Sequence, residues 1–263
     1  MSKAEEMEIR VEAVNCAGGC GSTLDGSRLY LDGVAQTMPP VTCDKCIAED
    51  EAAFGGPALV KTADPLDWLQ ALGVNTRKHG NATFSTFDGT AAPRAVHASE
   101  EFAAEAVTAG RHSRVRGLYL VDQAKGTGKS HLAVAIMQWV HERRPKLRIV
   151  FDPSDRLITR IQDSYGTGTT DALIEKRRAA GLYVLDDLGR EKGTDDALRT
   201  LATILDEREG APTVITSNAL PHELARRYHD AGLWDRVASR LGDVVYRYVR
   251  VPGRDRRFTE PVG

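Results

Sequence analysis

The sequence predicts an α/β fold, a parallel sheet with helices on both faces, preceded by a small cysteine-bearing unit. Three observations predict it. Short apolar runs, suited to strands covered on both faces, alternate with stretches at helical spacing from residue 118 to residue 251. Two of those runs end in charged or glycine-rich tips: LYLV leads into DQAKGTGKSHL, and LYVL leads into DDL. All four cysteines lie before residue 50, in two close pairs.

With 263 residues, 41% of them hydrophobic, the chain can bury one large core plus a small appendage. No apolar run approaches a membrane span, and MSKAEEMEIR lacks the apolar segment of a signal peptide, so a soluble, cytoplasmic protein with no membrane partner is expected. A formal net charge of −2 argues against broad adhesion to nucleic acid. Any such contact must come from local basic surface.

Cys16 and Cys20 form CxxxC, Cys43 and Cys46 form CxxC, and 22 residues separate the pairs. Four thiolates from two turns suit tetrahedral zinc, and a closed Cys₄ set leaves no open position, so the metal is expected to be structural. Between the pairs, SRLYLDGVAQT reads as a hairpin turning at Asp32-Gly33, which makes the unit similar to a zinc ribbon folded by its Zn²⁺. Residues 47 to 62 read as a linker. Residues 64 to 76 predict a short helix with Asp64 as N-cap and Pro65 at its first position. Phe84 and Phe87 read as core anchors, with closure over an adenine base as the sharper alternative. Residues 99 to 110 predict a helix capped by Ser99 and ended by Gly110.

Strand 118 to 121, a glycine loop and helix 130 to 143 form the setting of a P-loop. Backbone N–H groups of such a loop converge on phosphates, and the helix N-terminus adds positive partial charge. Gly126, Thr127 and Gly128 would give close backbone approach to ATP, Lys129 would reach the β/γ-phosphates, and Ser130 would ligate Mg²⁺. The pattern GxxxxGK[ST] asks for glycine at 123, where this chain has Gln123. A side chain there is accepted at φ < 0 and costs on the order of 1 kcal/mol or more at φ > 0.

Downstream, residues 147 to 151 predict a strand and 154 to 165 a helix. Residues 182 to 188, LYVLDDL, predict a strand delivering two carboxylates beside the phosphate loop: Asp186 for the Mg²⁺ shell and Asp187 to orient and deprotonate an attacking water. Residues 194 to 208 predict a helix and 212 to 218 a strand whose tip carries Asn218, placed to position the water or to cap the next helix, at 221 to 228. Residues 234 to 241 predict a helix carrying Arg236 and Arg240. A strand at 244 to 251 leads to Arg247, Arg250, Arg254, Arg256 and Arg257, which either contact phosphates or keep a tail soluble.

Together, GTGKSHLAVAI, LYVLDDLG, ILDEREGAPTVITSN and RVASRL resemble the DnaC/DnaI-like helicase loaders and the related IstB-type transposition ATPases, a branch of the AAA+ superfamily. The resemblance covers roughly residues 83 to 251. It implies an AAA+ P-loop ATPase core that oligomerises head to tail with nucleotide between subunits. It assigns Walker A to Lys129 and Ser130, Walker B to Asp186 and Asp187, sensor 1 to Asn218, and an arginine finger to Arg240, ahead of Arg236. The amino-terminal zinc module is similar to that of DnaI-type loaders, which engages the replicative helicase.

The domains expected are a zinc module at 1–60, a linker with a short helix at 61–82 and the ATPase domain at 83–263. The function expected is ATP-dependent loading of a hexameric replicative helicase onto single-stranded DNA. The alternatives are an IstB-like transposition helper acting on duplex DNA and a zinc adaptor that senses nucleotide without turnover, the latter suggested by Gln123.

Overall fold

The computed structural model describes residues 7–15, 23–31, 34–35, 65–109, 117–190, 194–220, 223–224, 241 and 244–255. In the amino-terminal part, β1 (Met7–Asn15), β2 (Thr23–Leu31) and β3 (Val34–Ala35) form an antiparallel sheet in that order. Leu31 pairs antiparallel with Val34; the predicted turn residues between them, Asp32 and Gly33, lie outside the described residues. Strand β1 extends this hairpin, an element the sequence pattern did not announce. The four cysteines, and with them the predicted zinc site, lie outside the described residues.

The larger part is a five-stranded parallel sheet. Its strands are β4 (Gly117–Val121), β5 (Ile149–Pro153), β6 (Leu182–Leu188), β7 (Thr213–Ser217) and β8 (Val245–Arg250), in the order β5-β6-β7-β4-β8. Strand β7 therefore lies between the strand that feeds the glycine loop and the strand that carries the two aspartates. Alternate residues supply two cores. Leu118, Leu120, Val184 and Val214 face one side, and Tyr119, Val121, Leu185 and Ile215 the other. Burying one such leucine contributes on the order of 2 kcal/mol, which is why these strands read as unbroken apolar runs.

The first core is closed by α1 (Pro65–Ala71), α3 (Pro93–Thr108) and α4 (Lys129–Arg143), with the single turn α2 (Thr76–His79) beside them. Helix α1 starts on Pro65 as predicted and gives way to Gly73 at φ 89°, several residues before the predicted end. Helix α3 starts six residues earlier than expected. Pro93 opens it, and Ser99 lies in its buried interior with Oγ donating to the Ala95 carbonyl at 2.7 Å. A serine preceding two glutamates looks like a cap, but Ala95 and Phe102 bury on one stripe and extend the helix back through it. Phe87 is a core residue pressed on the glycine loop: a Cβ at Gly128 would meet its ring at 2.5 Å.

The second core is closed by α5 (Ser154–Thr167), α6 (Thr170–Arg178) and α7 (Asp195–Asp206). Thr194 caps α7, its Oγ1 accepting from the Ala197 N–H at 3.4 Å. Helix α6, absent from the sequence reading, is tied down by charge. Arg177 makes two bonds to the buried Asp152 of β5, both 2.9 Å. Arg208, fully buried, donates to the carbonyls of Arg177, Arg178 and Ala180 at the end of α6 and to Pro212 ahead of β7. Burial lowers the Arg208 guanidinium to about 10, and carbonyl dipoles at a helix C-terminus are the partners that let it stay charged there.

The Arg247 side chain is partly exposed. It pairs with Glu105 and Glu101 of α3 and so ties β8 to that helix. The segments 225–240 and 256–263, with Arg236, Arg240, Arg256 and Arg257, lie outside the described residues.

Candidate nucleotide site

Parallel pairing brings the strand ends level. Val121 pairs with Ser217, and Ser217 also pairs with Leu188 after a register shift between Leu185 and Leu188. The glycine loop, the two aspartates and Asn218 thus emerge at the same carboxyl edge of the sheet, where open α/β sheets bind ligands. A cleft of about 1030 Å³ opens there. Gly126, Thr127, Gly128, Lys129, Ser130, Asp186, Asp187 and Asn218 all line it.

The loop is built by local chemistry. Asp122 turns the chain, its Oδ1 accepting from the Ala124 N–H at 2.9 Å. Gly126 and Gly128 take φ of 72° and 102°, values that disfavour any side chain. Lys129 is buried, and its ammonium donates to the carbonyls of Asp122 at 2.9 Å and Ala124 at 2.8 Å and to Thr127 Oγ1 at 3.3 Å. The positive charge is thereby held across the mouth of the loop. Gln123 keeps φ below zero, lies exposed outside the cleft lining, and donates through Nε2 to Glu223 at 2.6 Å. The missing glycine therefore neither strains the loop nor blocks it.

Opposite the loop, Thr216 of β7 organises both acids. Its hydroxyl donates to Asp186 Oδ1 at 2.6 Å and accepts the Asp187 N–H at 2.9 Å. Ser130 and Asp186, the predicted magnesium residues from two distant segments, line the same cleft, and the Ser130 hydroxyl lies near enough to favour the charged form of the Asp186 carboxyl. Burial raises the Asp186 carboxyl from its ordinary value. The Asp187 charge adds to the rise, and the Thr216 and Ser130 hydrogen bonds and the Lys129 charge oppose it. Such a carboxyl favours a cation beside it. A hydroxyl and a carboxylate, both hard oxygen donors, fit Mg²⁺ shared with phosphates, and among the described residues no cluster of three or more His, Cys, Asp or Glu offers a cage made by protein alone.

Asp187 has φ 60°, the one left-handed residue other than glycine among the described residues. That turn at the end of β6 presents its carboxylate to the cleft. Asn218 Nδ2 donates to Oδ1 at 2.7 Å, and Arg190 donates to Oδ2 at 2.9 Å. The Ser154 hydroxyl holds the Asp187 carbonyl at 2.8 Å. The carboxylate is fixed and partly exposed, as a group that orients water must be.

Sequence reasoning missed three contributors. Thr216 and Ser154 are ordinary polar residues until the strands pair, and Arg190 gave no pattern. A signal for Thr216 existed in the polar pair Thr216-Ser217 ending an apolar strand.

Residues 79–245 match the family of the bacterial DnaA ATPase domain. Among individual relatives, the chromosomal replication initiator protein DnaA of Desulfatibacillum aliphaticivorans is 28% identical over 140 residues, covering 51% of this chain and 29% of the relative. The chain thus spans under a third of the length of that initiator. Similar solved structures include the DnaC helicase loader, at 23% identity and TM-score 0.53 over 67% of this chain and 99% of that one. DnaI follows at 26% and 0.56, over 66% and 93%. Domain III of the Thermotoga maritima replication initiation protein DnaA is 24% identical with TM-score 0.55, over 66% and 68%. With its P-loop, paired aspartates and five-stranded parallel sheet at one cleft, the chain belongs to the bacterial DnaA ATPase-domain family, within the AAA+ ATPases.

Proposed function

We propose that this chain is an ATP-hydrolysing loader that places a hexameric replicative helicase on single-stranded DNA, working in the cytoplasm as a head-to-tail oligomer. The observation that carries the enzymatic part is the convergence of Lys129 and Ser130 with Asp186, Asp187, Thr216 and Asn218 on one cleft. In favour of a loader is the likeness to DnaI, which is 26% identical with TM-score 0.56 and is covered over 93% of its solved chain.

In this reading the loop amides and Lys129 bind the triphosphate, and Ser130 and Asp186 would hold Mg²⁺, which when bound neutralises charge on the β- and γ-phosphates. Asp187, oriented by Asn218 and by the Thr216 bond to its backbone, accepts a proton from the water that attacks the γ-phosphorus. The bond to the leaving ADP oxygen breaks as the new P–O bond forms. Arg240 of a neighbouring copy completes the charge stabilisation. The Cys16, Cys20, Cys43 and Cys46 module binds Zn²⁺ and contacts the helicase.

The test is loading of a purified replicative helicase onto closed circular single-stranded DNA, where a ring must be opened. The full chain with ATP is expected to raise helicase on the circle, and Lys129→Ala to abolish that gain by weakening nucleotide binding at least tenfold. Absence of any helicase contact, with preferred binding to duplex DNA, would refute the loader reading.

A further inference from the structure

The ATPase reading leaves several cations of the cleft wall unused, Lys78, Lys125, Arg156 and Arg190 among them. Arg190 lies three residues after Asp187 and donates to its Oδ2 at 2.9 Å. The left-handed turn at Asp187 and the following Gly189 at φ 92° fold the chain back so that this pair forms. The two side chains differ in setting: Asp187 is 27% exposed and Arg190 is 70% exposed. An ion pair with one partner so solvated is weak and exchangeable. Its guanidinium also has donors to spare, since NH1 makes the bond to Asp187 and a second planar face of N–H groups remains for another oxyanion.

We propose that Arg190 is a terminal-phosphate sensor, parked on Asp187 and transferred to the γ-phosphate when a triphosphate fills the cleft. This rests on the ATPase reading above. A water that Asp187 orients has to lie between its carboxylate and the γ-phosphorus, so a guanidinium bonded to that carboxylate is the next neighbour of the γ-phosphate oxygens. Those oxygens carry more charge than a single carboxylate and match the planar fork in two-point geometry. A diphosphate has no group there. The exchange therefore gives discrimination between ATP and ADP, and it frees Asp187 Oδ2 for water only when there is a phosphate to attack. Asn218 remains on Oδ1 throughout and keeps the carboxylate oriented.

The experiment is calorimetric titration of the full chain with ADP and with the β,γ-methylene analogue of ATP, both with magnesium, so that turnover plays no part. Arg190→Gln is expected to lower the triphosphate-to-diphosphate affinity ratio about tenfold, the loss of one charge-assisted contact, while ADP affinity stays within about twofold. Arg190→Lys, which keeps the charge, should retain most of the ratio. Competition for the guanidinium is read from Asp187→Asn. It should raise the ratio in the natural background by relieving both repulsion and parking, and raise it less beside Arg190→Gln, where only repulsion is left. An unchanged ratio in Arg190→Gln overturns the sensor, as does an Asp187→Asn gain of equal size in both backgrounds. A purely structural Arg190 would weaken both nucleotides together and leave the ratio alone. If the natural chain bound neither nucleotide, the ATPase reading itself would fall.

Discussion

Thr216 does two tasks with one oxygen. It fixes the Asp186 carboxylate at 2.6 Å and accepts the Asp187 N–H at 2.9 Å, so both acids are set by a residue on the neighbouring strand. Thr216→Val keeps the shape and removes the hydroxyl. It leaves a half-buried N–H without its partner, which costs about 1–3 kcal/mol, and it lets both carboxylates drift. A lower denaturant midpoint together with at least a tenfold fall in ATP turnover is the expected outcome, and a stable variant with normal turnover would show that Thr216 is dispensable. Lys129 illustrates the same economy. Its ammonium already bonds two loop carbonyls, so it shapes the loop as well as charging it. The residue types at 126 to 130 and 186 to 187 were legible because phosphate chemistry prescribes them at fixed positions along the chain. Thr216 was not, because its role exists only once β7 is registered against β6.

Elements that carry no motif are held by buried charge. Asp152 at the end of β5 is fully buried between Arg177 of α6 and Arg160 of α5, and Arg208 binds the carbonyls at the C-terminal end of α6. Asp152→Ala would strand Arg177, which is 4% exposed, without a counter-charge, at a cost of about 3–5 kcal/mol. The double change Asp152→Ala with Arg177→Met should recover much of that loss, since neither charge is then left buried alone. Urea unfolding of the two variants decides it: equal destabilisation would mean the pair contributes only packing. This charged layer explains why α6 escaped the sequence reading. TDALIEKRR has a thin apolar stripe, and what fixes it is an ion pair to a strand some two dozen residues away. The same effect in reverse moved the start of α3, where burial of Ala95 and Phe102 overrode the capping signal at Ser99.

At the scale of the whole molecule, the cleft gathers segments from the glycine loop, the ends of β6 and β7 and the turn α2, so its chemistry depends on sheet order. Placing β7 between β4 and β6 sets Asn218, just past the end of β7, in the same cleft as Lys129 and Asp187. If a neighbouring copy supplies Arg240, then Arg240→Ala should leave ATP binding by dilute protein unchanged and lower turnover at least a hundredfold at concentrations where the natural chain assembles. A concentration-independent rate equal to that of the natural chain would remove Arg240 from the site. By itself the sequence determined the parallel α/β class, the phosphate loop, the paired acids and Asn218, because buried parallel strands and triphosphate chemistry each impose a local pattern on the chain. Only the tertiary structure decided that Gln123 points away from the cleft, that Thr216 binds both acids, that Arg247 braces α3, and that Arg190 sits on Asp187. Each of these is a contact between segments far apart or across a turn of unusual backbone geometry, and a one-dimensional pattern holds no distance between them.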